Sequence, residues 1–249
     1  MNPLAGVAFG LAGLPVGSFL NVVVDRTPDR IPLRAVIDGE LHPPRSWGGV
    51  PVQPWVLAGG DPADRPRRWL AVELLTMAVF AAFGTRFGAT SVGLTLLVLG
   101  AALVAVSAID LEHLRIPDRV TFVALGMAGT AIVIVSFQRH VPGAVGGAIV
   151  GSLTYFVVLL LPHLAYPRGM GFGDVKLALL MGLYLGWLGW VPGDAILGPV
   201  RLDLYALMIG CFSGVVFGLG HAAVTRRRGE FPFGPALALA CTVVVIWQP

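Results

Sequence analysis

The chain has 249 residues, of which 56% are hydrophobic and only 12% charged, with a mean hydropathy of +0.80. That balance excludes an ordinary water-soluble globular domain and predicts a membrane protein. The formal net charge of +3 gives little reason to invoke nucleic acid, since arginines beside anionic lipid account for it.

In chain order, eight apolar stretches approach spanning length: roughly 4–24, 69–88, 92–109, 119–137, 142–163, 175–191, 203–223 and 231–247. A helix needs about 20 residues to cross the hydrocarbon core. The runs are continuously apolar, whereas barrel strands would alternate over about ten residues. The expected fold is all-α: a polytopic membrane protein with about eight transmembrane helices and one cytoplasmic loop insertion. The first stretch has no Lys or Arg before Arg26 and no clear small-x-small cleavage site, so it reads as a retained helix. Between the first two stretches lies residues 25–68, rich in proline, arginine and aspartate, with no cysteine, no helical period and no glycine-rich phosphate loop. This segment is expected to be a small loop-rich insertion, a surface module or a partly ordered lid. The chain accordingly divides into 1–88 (first helix, loop and second helix) and 89–249. Gly6/Gly10, Gly13/Gly17, Gly143/Gly147/Gly151 and Gly210/Gly214/Gly218 are spaced four apart, which lets helices in lipid approach closely. Cys211 and Cys241 fall inside predicted spans and read as small packing residues.

Eight spans distribute the basic residues unevenly. Fourteen of the seventeen Lys and Arg residues fall on one side, and only Arg86, Arg139 and Arg201 on the other. The positive-inside rule makes the first side cytoplasmic and turns both termini outward.

Two acids stand apart from those in the loop and at segment ends. Asp110 closes the third span in "VAVSAIDLEHLRIPD", and Asp174 opens the sixth in "GFGDVKLALL". On the predicted topology both lie at the cytoplasmic ends of their helices, where they could meet. An ionisable group in a span is costly and usually marks function. Two carboxyl groups held close cannot both ionise easily, so the pair shares a proton, which is the arrangement of an aspartic protease. Such a pair activates water with one member and protonates the leaving amine with the other, without a metal or a nucleophilic side chain. Gly171 and Gly173 lack Cβ atoms, so the backbone before Asp174 can take otherwise strained angles and admit an extended substrate. Lys176 is expected to pair either with a substrate carboxylate or with lipid.

"GMGFGDVK" resembles the GxGD signature of membrane-embedded aspartic peptidases, and "IDLEHLRIPDRVT" resembles the companion motif of bacterial type IV prepilin peptidases. "GLPVGSFLNVVVDRTP", "RRWLAVELLT" and "FPFGPALALA" are similar to further stretches of that family, in the same order. The resemblance implies that residues 89–249 form the GxGD peptidase core and that Asp110 and Asp174 are catalytic. It implies prepilin or pseudopilin substrates, cut in the cytoplasmic membrane on its cytoplasmic side behind a short basic leader. It also implies a second activity in many members, N-methylation of the new terminus with S-adenosylmethionine, associated with the first cytoplasmic loop. Many bifunctional members carry two Cys-x-x-Cys pairs there, the spacing of a zinc site. Residues 25–68 contain no cysteine, so no zinc is expected and methylation stays open.

The remaining polar residues have plainer readings. Asp118, after Pro117, is expected to cap the fourth helix. Glu112 and His113 could tune Asp110 or meet a basic leader, but read more simply as solvated interface residues. Ser18 and Asn21 either hydrogen-bond between helices or belong to an N-terminal functional surface. A small proton-coupled transporter would also use membrane acids and glycine-rich helices. It would place the acids near mid-membrane and often shows repeated halves, whereas these acids lie at one face and no repeat is evident.

Overall fold

The computed structural model describes residues 1–28, 46–47, 50–51, 67–166, 170–225 and 232–248. Eight α-helices run through them: α1 Pro3–Arg26, α2 Arg67–Phe87, α3 Ser91–His113, α4 Asp118–Gln138, α5 Gly143–Ala165, α6 Phe172–Gly189, α7 Leu197–Thr225 and α8 Gly234–Trp247. The first seven are long and apolar enough to cross a membrane. The chain is an all-α, multi-pass membrane protein. The eighth expected span is shorter than spanning length: α8 has 14 residues, about 21 Å at 1.5 Å per residue against a core of about 30 Å. Most of the expected 25–68 insertion lies outside the described residues, as do Arg30, Arg34, Arg45, Arg65, Arg168 and Arg226 to Arg228. Within the insertion, Ser46–Trp47 (β1) and Val50–Pro51 (β2) form a short antiparallel pair.

The chain forms two compact units, Met1–Ala108 and Ile109–Pro249. In the first, the glycine stripe of α1 is seated on α2. A Cβ at Gly13 would come within 2.7 Å of the Met77 Cα, and one at Gly17 equally close to the Glu73 Cα. Small residues thus bring two backbones into contact, the packing available to helices that have no hydrophobic driving force between them in lipid. The contact carries polar cement. Asn21 Nδ2 donates to the Trp69 carbonyl at 3.1 Å, and Ser18, Asn21, Glu73 and Thr76 are all buried. Ser18 and Asn21 therefore lie in a helix interface, and Asn21 bonds across it. Arg68 pairs with Asp25 at the mouth of the same helix pair.

In the second unit α5 and α6 meet in the same way. Gly147 and Gly151 face Gly182 and Gly186, and any Cβ among them would run into the opposite backbone. Ser152 Oγ donates to the Leu179 carbonyl across this contact at 2.9 Å. The other flank of α6 is tied to α4 by Trp187 Nε1 donating to Ser136 Oγ, also at 2.9 Å. Packed on both sides, α6 has a nearly all-buried surface, with Leu177, Leu180, Met181, Tyr184 and Leu185 fully enclosed. Further along, Gly210 and Gly214 of α7 lie against Leu237 and Phe233. Cys241 is buried and Cys211 exposed, both as free thiols.

One helix start differs from the sequence expectation. The seventh span was expected from 203; α7 begins at Leu197 instead. Asp194 Oδ1 accepts from the Leu197 N–H at 2.8 Å, meeting one of the donors left open at a helix N-terminus. Asp203 thus lies more than a turn inside the helix and is 2% exposed, and neither of its carboxyl oxygens has a hydrogen-bond partner among the described residues. Leaving buried acceptors unmatched costs about 1–3 kcal/mol. Replacing Asp203 with leucine is therefore expected to raise the thermal midpoint of the detergent-solubilised protein, and a fall on heating would show that the carboxyl has a stabilising partner.

Candidate active site

Asp110 lies three residues before the end of α3 and is 6% exposed. Its Oδ2 accepts a buried hydrogen bond of 3.0 Å from the backbone N–H of Gly234, the first residue of α8. The donor is available for a local reason. The N-cap of α8 is Phe233, which has no side-chain oxygen to offer, and Pro235 follows within the first turn. The open N–H at the head of one helix is thus satisfied by a carboxyl from the tail of another. Only glycine suits the position, because a Cβ at Gly234 would stand 2.8 Å from that same oxygen.

Asp174 is the third residue of α6 and also 6% exposed. Its backbone N–H donates to the Gly171 carbonyl at 3.2 Å, which closes the first turn. Its Oδ1 is buried and has no hydrogen-bond partner among the described residues. Both carboxyl groups sit at helix N-termini, Asp174 in the first turn of α6 and Asp110 against the first turn of α8. The positive end of each helix dipole favours a negative group by about 0.3–1 kcal/mol.

The two acids occupy one neighbourhood. A single side chain, Ile116, reaches both supporting backbones. A Cβ on Gly173 would lie 2.7 Å from the Ile116 Cβ, and one on Gly234 would lie 3.4 Å from its Cδ1. The backbones that carry or hold the two acids therefore meet at one side chain.

The glycines are not needed for the strained backbone angles that were expected of them. Gly171 has an ordinary extended conformation, φ −66° and ψ 141°, so no strained angle is being relieved. Gly171 keeps the space beside the Asp174 carboxyl clear, with a Cβ there standing 3.3 Å from Oδ2, and Gly173 makes room for Ile116.

Asp118 departs from expectation, and Lys176 is involved in the reason. Lys176 Nζ lies 2.7 Å from Asp118 Oδ1, joining the start of α6 to the start of α4. Its ammonium lies 5.0 Å from the Phe172 ring and 6.0 Å from the Phe122 ring. Asp118 is not the cap of α4: that position is Pro117, with no side-chain cap bond. One step inside the helix, the Asp118 carboxylate is better placed to meet the ammonium. Glu112 and His113 are exposed, as solvated interface residues should be. His163 Nδ1 donates to the Met170 carbonyl at 2.9 Å and its ring packs on Phe172, steadying the approach to α6.

The sequence reading missed Gly234 and Ile116. For Gly234 the available signal was a Gly-Pro step at the head of an apolar run, a helix-start pattern. Nothing in the local sequence singles out Ile116.

A sequence profile described as the Type IV leader peptidase family matches residues 97–219. Over 268 residues the chain is 30% identical to the Prepilin leader peptidase/N-methyltransferase of Xanthomonas campestris pv. campestris, covering 94% of this chain and 88% of that protein. It is 30% identical over 282 residues to the protein of the same name from Pseudomonas aeruginosa, covering 99% and 92%. The Type 4 prepilin-like proteins leader peptide-processing enzyme of Escherichia coli is 29% identical over 270 residues, covering 96% and 92%. No solved structure matches the chain. With similarity of this extent along nearly its whole length, the chain belongs to the type IV leader peptidase family.

Proposed function

We propose that the protein is a membrane-embedded aspartic endopeptidase that removes the basic leader from prepilins or pseudopilins, with Asp110 and Asp174 as its catalytic pair. The observation that carries this reading is the meeting of the two buried carboxyl groups at the heads of α6 and α8, around Ile116. The names of the relatives support the substrate class, and the transporter alternative finds no support among them. Lys176, engaged with Asp118, supports the site by holding α6 to α4 beside the pair.

In the proposed reaction the two carboxyl groups hold one proton between them. The ionised member takes a proton from water as the water oxygen bonds to the scissile carbonyl carbon, and the protonated member gives its proton to the carbonyl oxygen. Collapse of the resulting diol breaks the C–N bond. The departing nitrogen takes a proton from one carboxyl group, the diol returns one to the other, and the pair is restored. The uneven distribution of the basic residues supports a site at the cytoplasmic face of the cytoplasmic membrane. A leader carrying positive charge then stays on the side where it is made while the apolar helix behind it enters the bilayer.

The same reading includes N-methylation of the new terminus. S-adenosylmethionine, when bound, supplies an electrophilic methyl group to that amine. Asn21 Oδ1 and Trp69 Nε1, an acceptor and a donor flanking the 25–68 insertion, are buried without hydrogen-bond partners among the described residues. They would hold polar groups of the methyl donor.

Replacing either Asp110 or Asp174 with asparagine is expected to leave a folded, inserted protein whose prepilin cleavage falls about a hundredfold or more; full cleavage by either variant overturns the assignment. Because low pH protonates both carboxyl groups and high pH ionises both, the cleavage rate should decline on either side of an acidic-to-neutral optimum. A rate that is flat across pH speaks against the shared proton. Mass spectrometry of the mature substrate should find its N-terminal mass raised by one methyl group, and an unmodified amine removes the second activity.

A further inference from the structure

The four-residue link between α3 and α4 is built to deliver one side chain. Leu114, immediately after α3, has φ +51°, a left-handed conformation that costs a branched L-residue and reverses the chain at once. Its N–H still donates to the Asp110 carbonyl at 2.9 Å, so the reversal is pinned to the last turn of α3. Three residues on, Pro117 disfavours a helical conformation at Ile116 and favours an extended one. Turned and then straightened, the link sets Ile116 against the backbones that carry both acids.

The contacts of Ile116 account for only part of its surface. One side rests on Gly173 and Gly234, while the side chain as a whole is half-buried rather than enclosed. Exposed apolar residues continue outward from its neighbours, at Leu111, Leu114 and Phe172. Ile116 touches the backbone beside each acid, so a peptide whose carbonyl reaches both carboxyl groups passes close to it.

We infer that Ile116 determines specificity: its free face is the wall against which an apolar substrate side chain adjoining the scissile bond is packed, and its size sets the size of side chain accepted. This rests on the peptidase reading above. An apolar wall rejects a charged neighbour of the scissile bond, which would lose its hydration there without gaining a partner. Between apolar residues the discrimination is modest, since one methylene in a pocket changes selectivity by about ten- to two-hundredfold.

The test uses full-length protein in detergent and prepilin peptides that differ only in the residues flanking the scissile bond, from alanine through leucine to phenylalanine. For the Ile116→Ala protein the ratio of kcat/KM for the phenylalanine peptide to that for the alanine peptide should rise about tenfold or more, and for Ile116→Phe it should fall. Ile116→Val and Ile116→Leu, which nearly conserve volume, should shift it by smaller amounts and serve if the larger changes disturb folding. If every variant alters all peptides by one common factor, Ile116 only packs and the inference fails. A direct contact is also expected. A photo-crosslinking residue placed beside the scissile bond should label residues 114–117 in the Asp174→Asn protein, and labelling confined to other segments overturns the inference. Cleavage of any peptide by the unaltered protein, abolished by Asp174→Asn, keeps the peptidase reading in place whichever way the ratios fall.

Discussion

One hydrogen bond organises the proposed site. The Gly234 N–H and the Asp110 carboxyl are 124 residues apart in the chain, and their 3.0 Å contact joins the tail of α3 to the head of α8. Each group solves the other's difficulty. A helix that starts without a polar cap leaves N–H donors open, and a carboxyl drawn into an apolar unit needs a donor. Joined, they hold Asp110 where Ile116 and the start of α6 also arrive. Asp174 is held by different means, in the first turn of its own helix, and keeps one oxygen unmatched. A carboxyl fully satisfied by the protein has no capacity left for a substrate; this one retains it.

Around that point the fold uses charge sparingly. Lys176 and Asp118 tie the starts of α6 and α4 beside the acids and flank the ammonium with two aromatic rings. An exposed pair of this kind contributes little to stability, but its placement matters: it keeps a cation from turning toward the carboxyl groups while fixing the helix on which Asp174 rides. In the other unit, Asn21 and Trp69 perform the analogous service between α1 and α2 with a neutral bond.

Much of this was legible in the sequence, and the failures share a physical origin. Continuous apolar runs are a local property, so the helices were found nearly in place, and the two acids stood out because carboxyl groups seldom border such runs. Glycines four apart announced close helix contacts because only they allow backbones to touch. The errors came where the deciding partner is far away in the chain. Asp118 looked like a cap because Pro117 precedes it, yet Lys176, 58 residues later, claims its carboxylate. The seventh helix was expected from 203, yet Asp194 caps it at Leu197 and so starts it earlier. Ile116 carries no mark of its own, since its role arises from the two glycines it touches.

The glycine contact between α5 and α6 has a mechanical consequence. Carbonyl oxygens of Gly147, Gly151, Gly182 and Gly186 press on the facing backbone with no side chains between to act as a lubricant. Neither rod can roll or slip along its mate without atoms colliding, so the two behave as a single girder with Asp174 bolted to one end. Asp174 is thereby the anvil of the proposed pair, its position set by the girder as a whole and not by its own side chain alone.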